Sequence, residues 1–269
     1  MPPPRPLCQH EGGSCAACCG VYNFKDRGPE ATHGRLARRT EQVRAAWPDR
    51  DRLREARDDL LALEADEILF RGVKVCPFAG YVEEGRVGCL LHPTRHPEGE
   101  DLRDLAVYPK EICRDHFCAP HDWLRPREVA FAQTATGVGY GLVVTDAGLV
   151  KSLLSLLEAH LQRPVTEADI ERARGPLATL WRRLLDWPFR DDDPYRFGGF
   201  YVVGDDAVER TLPSCLAGLD LEASPALRTV LDGLGTRVGT REDAEQAIAH
   251  LEGLLSEVAR DLEGTRARG

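Results

Sequence analysis

The chain has 269 residues, of which 42% are hydrophobic and 29% charged, which suits one large domain or two modest ones and excludes wholesale disorder. A net charge of −9 argues against general nucleic-acid binding, because neutralising phosphates needs a basic surface. No run approaches about 18 uncharged apolar residues, so no membrane-spanning helix and no membrane partner are expected.

In chain order, residues 1–7 are proline-rich and read as an extended tail. They lack the apolar run of a signal peptide, so a cytoplasmic protein is expected. Cys15-Ala-Ala-Cys18-Cys19-Gly20 is expected on a turn, and Gly28-Pro29 reads as a breaker. Arg35 to Phe70 reads as helix interrupted at Trp47-Pro48, with Leu53, Ala56, Leu60 and Leu63 on one face. Val73 to Pro77 and Arg86 to Leu91 read as two strands of a hairpin that turns at Glu83-Glu84-Gly85. Residues 93–100 form a Pro/Gly-containing loop, followed by short helices over Asp101 to Val107 and Pro109 to Phe117. Pro109 suits a first helical position, where its missing N–H is no loss.

Beyond Pro126 the pattern becomes helical. Glu128 to Ala135 reads as a short helix, Gly137-Val-Gly-Tyr-Gly141 is glycine-rich, and Asp146 is placed to cap a helix ending at Leu161. Thr166-Glu-Ala-Asp169 and Thr240-Arg-Glu-Asp243 have the form of capping boxes, each opening a helix. Another helix spans Pro176 to Asp186, and Gly199 to Val203 reads as a strand. The last helix, Glu242 to Leu262, carries an apolar stripe of Ala244, Ile248, Leu251, Leu255, Val258 and Leu262. The fold expected is α+β and mainly helical. A small cysteine-rich metal-binding module spans 1–121, and a mainly helical region with a short sheet spans 122–269, the two packed as one body.

Cysteine usage is the strongest chemical signal. Eight of the nine cysteines lie in the first 118 residues, and only Cys215, expected in a helix as a small core hydrophobe, lies beyond. In a reducing compartment such density serves metals or redox chemistry rather than disulfides. Cys15 and Cys18 have the Cys-x-x-Cys spacing that reaches one metal from a single turn, and Cys113 and Cys118 can form a second chelating pair. Cys76 and Cys89 sit at or near the ends of the hairpin. Adjacent side chains of extended chain point to opposite faces. Cys18 and Cys19 therefore fit one tetrahedral ion poorly, and fit better if one of them serves a second metal, a polynuclear centre or a redox role. Eight thiols also match two four-ligand sites by arithmetic. A structural zinc contributes about 10–16 kcal/mol of apparent binding energy in small folds, as much as the whole stability of most domains, about 5–15 kcal/mol. Metal can therefore organise segments 1–34 and 72–121, which carry few long apolar patterns.

Cys15-Ala-Ala-Cys18-Cys19, Cys76-Pro-Phe, Gly88-Cys89-Leu-Leu and Cys113-Arg114-Asp-His-Phe117-Cys118 together resemble the YkgJ-like cysteine-cluster family, a zinc- or iron-chelating domain with a CxxCxxCC signature that includes, more distantly, flagellin lysine methylases. The resemblance covers about residues 8–118. It implies Cys8, Cys15, Cys18, Cys19, Cys76, Cys89, Cys113 and Cys118 as ligands. Cys8 lies farther from the cluster than the family's first cysteine. His92 and Arg95-His96-Pro97 stand where the family tends to carry tyrosine and Arg-Pro. His92 and His96 are then replacement ligands or loop residues. Arg114 and His116 are either donors to thiolate sulfur or surface charges. His160 and His250 are expected on solvated helix faces.

Thiolates select zinc or iron–sulfur clusters, and spacing alone does not separate the two. The first expectation is a metal-binding protein whose cofactor is zinc or iron, including an iron–sulfur centre. An iron–sulfur-dependent redox or lysine-methylase-like enzyme is a second, and a zinc-stabilised module that binds a protein partner a third. Gly137 to Gly141 lacks the further glycine of a dinucleotide fingerprint and the lysine of a phosphate loop. Asp191-Asp192-Asp193 and Asp205-Asp206 read as solvated acidic loops. Nothing after residue 118 forms a catalytic set.

Overall fold

Gly28-Pro29 starts a helix rather than breaking one. Pro29 is the first residue of α1 (Pro29–Ala46), where the proline ring presets the helical φ and no N–H is needed. A cis Trp47–Pro48 peptide leads to α2 (Arg50–Glu64), whose start is capped by Asp49 accepting from the backbone N–H groups of Asp51 and Arg52. The computed structural model describes residues 7–96, 99–190, 202–203, 208–209 and 214–266. These are mainly helical, with two-stranded antiparallel sheets, an α+β arrangement. The chain divides into two units, Met1–Cys118 and Ala119–Gly269.

The first unit begins with a small hairpin, β1 (Gln9–His10) and β2 (Gly13–Ser14). A second hairpin pairs β3 (Ala79–Glu83) with β4 (Arg86–Cys89), Ala79 opposite Cys89, and turns through Gly85 at φ +67°. The first strand thus lies later than the expected Val73 to Pro77. Pro77 has no N–H for a ladder, and the N–H of Cys76 is already given to Cys19 O at 2.9 Å. The first hairpin is stitched to the second where Val87 N–H donates to Ser14 Oγ at 2.7 Å and Gln9 Nε2 donates to Val87 O at 3.0 Å. α1 packs on β3 and α2. Leu53 and Leu60 are fully buried, but Leu63 is 54% exposed. Ten residues at 3.6 per turn carry Leu63 about 80° away from Leu53, off the buried face. The short helix α3 (Lys110–Asp115) follows Pro109, which sits one position before it.

The second unit holds α4 (Pro120–Trp123), α5 (Pro126–Ala132), α6 (Tyr140–Thr145), α7 (Ala147–Leu161), α8 (Glu167–Arg172), α9 (Arg174–Leu185), β5 (Val202–Val203) paired with β6 (Val208–Glu209), α10 (Pro225–Gly233) and α11 (Arg241–Arg266). Asp146 caps α7 by accepting from Leu149 N–H at 2.8 Å. Both capping boxes form. Asp169 accepts from Thr166 N–H at 3.0 Å, and Asp243 accepts from Thr240 N–H at 3.0 Å. α7 is the centre on which α5, α6, α10 and α11 pack. Trp181 on α9 is buried against Phe131 and donates to its carbonyl at 3.2 Å. Most of the α11 stripe is buried, with Ile248 at its margin.

Gly139 lies where a Cβ would run into Leu185, and Tyr140 to Val144 are buried. The glycine-rich piece is thus a packing feature. His250 does not face solvent freely, because its ring packs edgewise on Trp187 and Phe189. Cys215 lies in a turn rather than a helix and is only partly buried. Ser214 Oγ and the Cys215 N–H both engage Asp232 Oδ1, which holds the turn, and Leu216 takes the core position instead. Residues 199–201, 191–193 and 205–206 lie outside the described residues, so only the end of the expected 199–203 strand is seen, as β5. Among the described residues no helix is long and apolar enough to cross a membrane.

The first unit also buries an ion pair. Arg39 and Glu64 are each 1% exposed and joined by contacts of 3.0, 3.2 and 2.5 Å. Arg39→Met should destabilise the chain by about 3 kcal/mol, the low end for a broken buried pair, because Arg38 keeps a weaker hold at 3.6 Å. Urea denaturation checks this, and the double change Arg39→Met with Glu64→Leu should recover most of the loss.

Candidate metal centre

The eight cysteines of the first unit are placed by backbone more than by side-chain packing. Across the β1–β2 hairpin, Cys15 N–H donates to Cys8 O at 2.8 Å, which sets these two residues side by side. A tight 3-10 turn over Ala17–Cys19 follows, with Ala17 N–H directed at Cys15 Sγ at 3.4 Å. The turn ends at Gly20, with φ +74°. There a Cβ would stand 2.7 Å from Lys74 O and 2.9 Å from Val75 Cα, so only glycine lets the chain pass so close to residues 74–75. That approach brings Cys19 O to Cys76 N–H.

Asn23 holds the same crossing. Fully buried, it accepts from Phe70 N–H at 2.9 Å and donates to Phe70 O at 2.9 Å and Val73 O at 3.0 Å. Cys76 belongs to the apolar cluster of Val43, Ala46, Leu53, Phe78, Leu90, Leu91, Leu102 and Leu105, and Cys19 and Cys89 pack against it. Cys113 lies on α3, where its carbonyl accepts from Arg103 Nη1 at 3.3 Å. Arg103 is 7% exposed and grips Asp101 with two contacts of 2.8 Å.

All nine cysteines are thiols rather than half-cystines. Six of the eight share an electrostatic problem. Burial pushes the Cys8 thiol up to about 12, aided by the charges of Cys118 and Cys18. Burial likewise pushes Cys89 up to about 12, with Cys76 and Cys113 adding to it. Cys15, Cys76 and Cys113 are raised by burial first. Cys19 is raised most by donating its thiol hydrogen to Cys18 and next by burial. Cys18, the exposed member, accepts that hydrogen bond and is lowered to about 7. Positive charge nearby is scarce: Arg103 acts on Cys89 and Cys113, and Arg39 on Cys76. Apart from Cys18, burial and the neighbouring thiols oppose deprotonation of these groups, and a cation among the sulfurs would relieve both effects.

The structure corrects several expectations here. Cys18 and Cys19 are not in extended chain. The 3-10 turn brings their thiols within hydrogen-bond reach, although Cys18 is exposed and Cys19 borders the core. Arg114 is exposed and paired with its neighbour Asp115 at 2.8 and 2.7 Å, a surface contact, and His116 is exposed. His92 is used locally, with Nδ1 2.8 Å from Thr94 Oγ1. His96 stacks on Trp47 with ring centroids 3.7 Å apart. Sequence reasoning missed Arg103 and Asn23, and it placed Gly20 on a turn without the close crossing that needs it. Arg103 two residues from Asp101 looks like surface charge until burial is known. Gly20 directly after the cysteine pair was a readable turn signal.

Among the described residues, no three His, Cys, Asp or Glu side chains stand as a ready-made shell for a metal ion. In the second unit, a hollow is lined by Leu221, Glu222, Ala223, Ser224 and Arg228, and Arg228 donates to the carbonyls of Ala223 and Leu221 on its rim. No family model, curated protein or solved structure matches the chain.

Two outcomes follow for the metal-free protein. Cys18, exposed and thiolate-rich near neutrality, should be alkylated first by iodoacetamide, as peptide mass mapping against time would show, and Cys18→Ser should remove the fast phase. Stability should fall as pH rises from about 8 to about 10. The unfolded chain releases thiol protons near 8.5, while folded Cys8 and Cys89 keep theirs until about 12, so the folded state binds more protons across that interval. Urea midpoints across that range check the sign.

Proposed function

We propose that the first unit is a metal-binding module in which Cys8, Cys15, Cys18, Cys19, Cys76, Cys89, Cys113 and Cys118 supply thiolates to zinc or to an iron–sulfur centre. The observation that carries this reading is electrostatic. Six thiols, Cys8, Cys15, Cys19, Cys76, Cys89 and Cys113, are raised by burial and by neighbouring cysteines of the set, with two arginines as the nearby positive charge. A divalent or cluster-bound metal is the counter-charge such a set lacks.

The donor chemistry fits. Soft thiolates select zinc and iron–sulfur clusters, and no harder donor needs to be invoked. Among the described residues no three such side chains stand as a shell, so on this reading binding has to draw the sulfurs together as each thiol gives up its proton. The motif resemblance to the YkgJ-like cysteine-cluster family points to the same chemistry. Zinc held by thiolates alone would brace the loops; an iron–sulfur centre would supply electron transfer. Arg103, beside Cys89 and Cys113, would lower the negative charge of a loaded site and hold α3 against it.

Anaerobic purification, a visible spectrum, and assays of zinc, iron and acid-labile sulfide test this. The expected result is bound metal, either colourless zinc or a brown chromophore with matched iron and sulfide. Chelation should then lower the unfolding temperature. A folded, metal-free protein with all eight thiols alkylatable, and indifferent to added zinc or iron, overturns the reading.

A further inference from the structure

In the first hairpin Gln9 stands opposite Ser14 and His10 opposite Gly13. One step further along the same ladder, Cys15 N–H donates to Cys8 O at 2.8 Å. Cys8 and Cys15 are therefore directly opposed, and opposed residues of an antiparallel pair put their side chains on one face.

The register that opposes them is held from outside the hairpin. Ser14 Oγ accepts from Val87 N–H at 2.7 Å, and Gln9 Nε2 donates to Val87 O at 3.0 Å. Gln9 Oε1 also accepts from Arg86 Nε at 3.1 Å. Gln9 and Ser14 thus both turn to β4, and alternation turns Cys8 and Cys15 to the opposite face. A slip of one residue would take Gln9 and Ser14 from these partners.

Such a pair is within reach of a disulfide. Opposed residues at a hydrogen-bonded position have Cα atoms about 5.5 Å apart, inside the span of roughly 4.4–6.8 Å that disulfides bridge. Other cysteines of the set fit less well. Cys18 and Cys19 are consecutive, with Cα atoms about 3.8 Å apart, short of that span. Cys19 and Cys76 share a backbone hydrogen bond but no ladder, and Cys76 is buried. Cys8 and Cys15 are each partly exposed, which gives a small reagent access. Their Cβ atoms, about 5 Å apart in such a pair, must draw in to about 3.8 Å. A bond closed under that strain is readily reduced.

We infer that Cys8 and Cys15 form a reversible dithiol–disulfide couple whose closure withdraws two of the eight sulfurs from the metal, a consequence that rests on the metal-binding reading. The oxidant is a low-molecular-weight disulfide of the glutathione class. One cysteine sulfur attacks it, forming a mixed disulfide and releasing one small thiol. The other cysteine sulfur then attacks the bound cysteine sulfur and releases the second small thiol. The reagent's S–S bond and two protein S–H bonds break, and the Cys8–Cys15 bond and two small-thiol S–H bonds form. Two electrons pass from the protein to the reagent.

The test equilibrates the metal-free full chain with defined ratios of reduced to oxidised glutathione, blocks free thiols with N-ethylmaleimide and cleaves after glutamate. Glu11 is the only acidic residue between the two cysteines. A Cys8–Cys15 bond therefore joins two fragments that separate on reduction, and fragment sequencing locates it. This bond should form before any other disulfide, open again in excess reduced glutathione, and be absent from Cys8→Ser and Cys15→Ser. The reduced chain should bind Zn2+, and prior loading with Zn2+ should slow closure. The closed chain should bind Zn2+ roughly tenfold or more weakly, since losing a group that merely orients a ligand already costs about 10–100-fold. The unchanged chain supplies all these readouts except the two substitutions, so a variant that fails to fold leaves the test intact.

A first disulfide at another pair, or glutathione left on Cys8 or Cys15 without closure, overturns the couple and leaves the metal-binding reading standing. Equal Zn2+ binding by the open and closed chains overturns the withdrawal of sulfurs from the metal. A reduced chain that takes up neither Zn2+ nor iron overturns the metal-binding reading and that consequence with it, while the joined fragments still report the couple.

Discussion

A buried thiolate beside another thiolate is a charge without a counter-charge. Two such charges about 4 Å apart repel by about 4 kcal/mol at an effective dielectric of 20, and burial adds a desolvation cost to each. The first unit sets eight sulfurs under this constraint with Arg103 and Arg39 as the opposing charges on Cys89, Cys113 and Cys76. Without a cation the sulfurs of Cys8, Cys15, Cys19, Cys76, Cys89 and Cys113 hold their protons more tightly than a free thiol, and seven of the eight lie in partly or fully buried residues. The loops that carry them need other means to stay in place, and the local structure of the unit follows from that need.

Those means are polar and conformational. Asn23 gives both amide N–H groups to the carbonyls of residues 70 and 73 and accepts from Phe70 N–H. Gly20 permits a close crossing that a side chain would block. Phe24 is fully buried under the guanidinium of Arg35, 4.1 Å from the ring centroid, with Arg39 near the same ring at 5.4 Å. Arg39 then turns its charge to Glu64. The long helices α1 and α2 thus hold the cysteine loops through a few buried polar groups as well as through the apolar cluster in which Val43, Ala46 and Leu53 meet Cys76. Each such group is costly to bury and costly to disturb, because its partner would be left unsatisfied in a low dielectric.

What was legible in the sequence was local. Asp146, Thr166 with Asp169, and Thr240 with Asp243 announced their helices because a cap is a contact within three residues. The α11 stripe was legible because a period survives without tertiary context. Leu63, His250 and the strand at Val73 were misread because their fate depends on what packs against them. Val73 to Pro77 looks more β-like than Ala79 to Glu83, but its Cys76 N–H is committed to a partner 57 residues earlier in the chain. In the site, residue type was legible and grouping was not. Counting cysteines cannot tell that the thiols of Cys18 and Cys19 meet within their turn, nor that a buried arginine stands behind Cys113.

The two units are stabilised by different physics, and this bears on what metal does. In the second unit α7 buries Leu149, Val150, Leu153, Leu154, Leu157 and Leu161, and helices that end in ordinary caps pack on it. Burying a leucine side chain contributes about 1.5–3 kcal/mol, so a core of this kind stands without a cofactor. The first unit has fewer such residues along its cysteine loops and more buried polar groups per turn of chain. A metal bound as proposed would be a structural member as well as a chemical one, since it would convert mutually repelling thiolates into cross-links between segments distant in sequence. On that account the first unit should answer to metal and redox state, and the second should not.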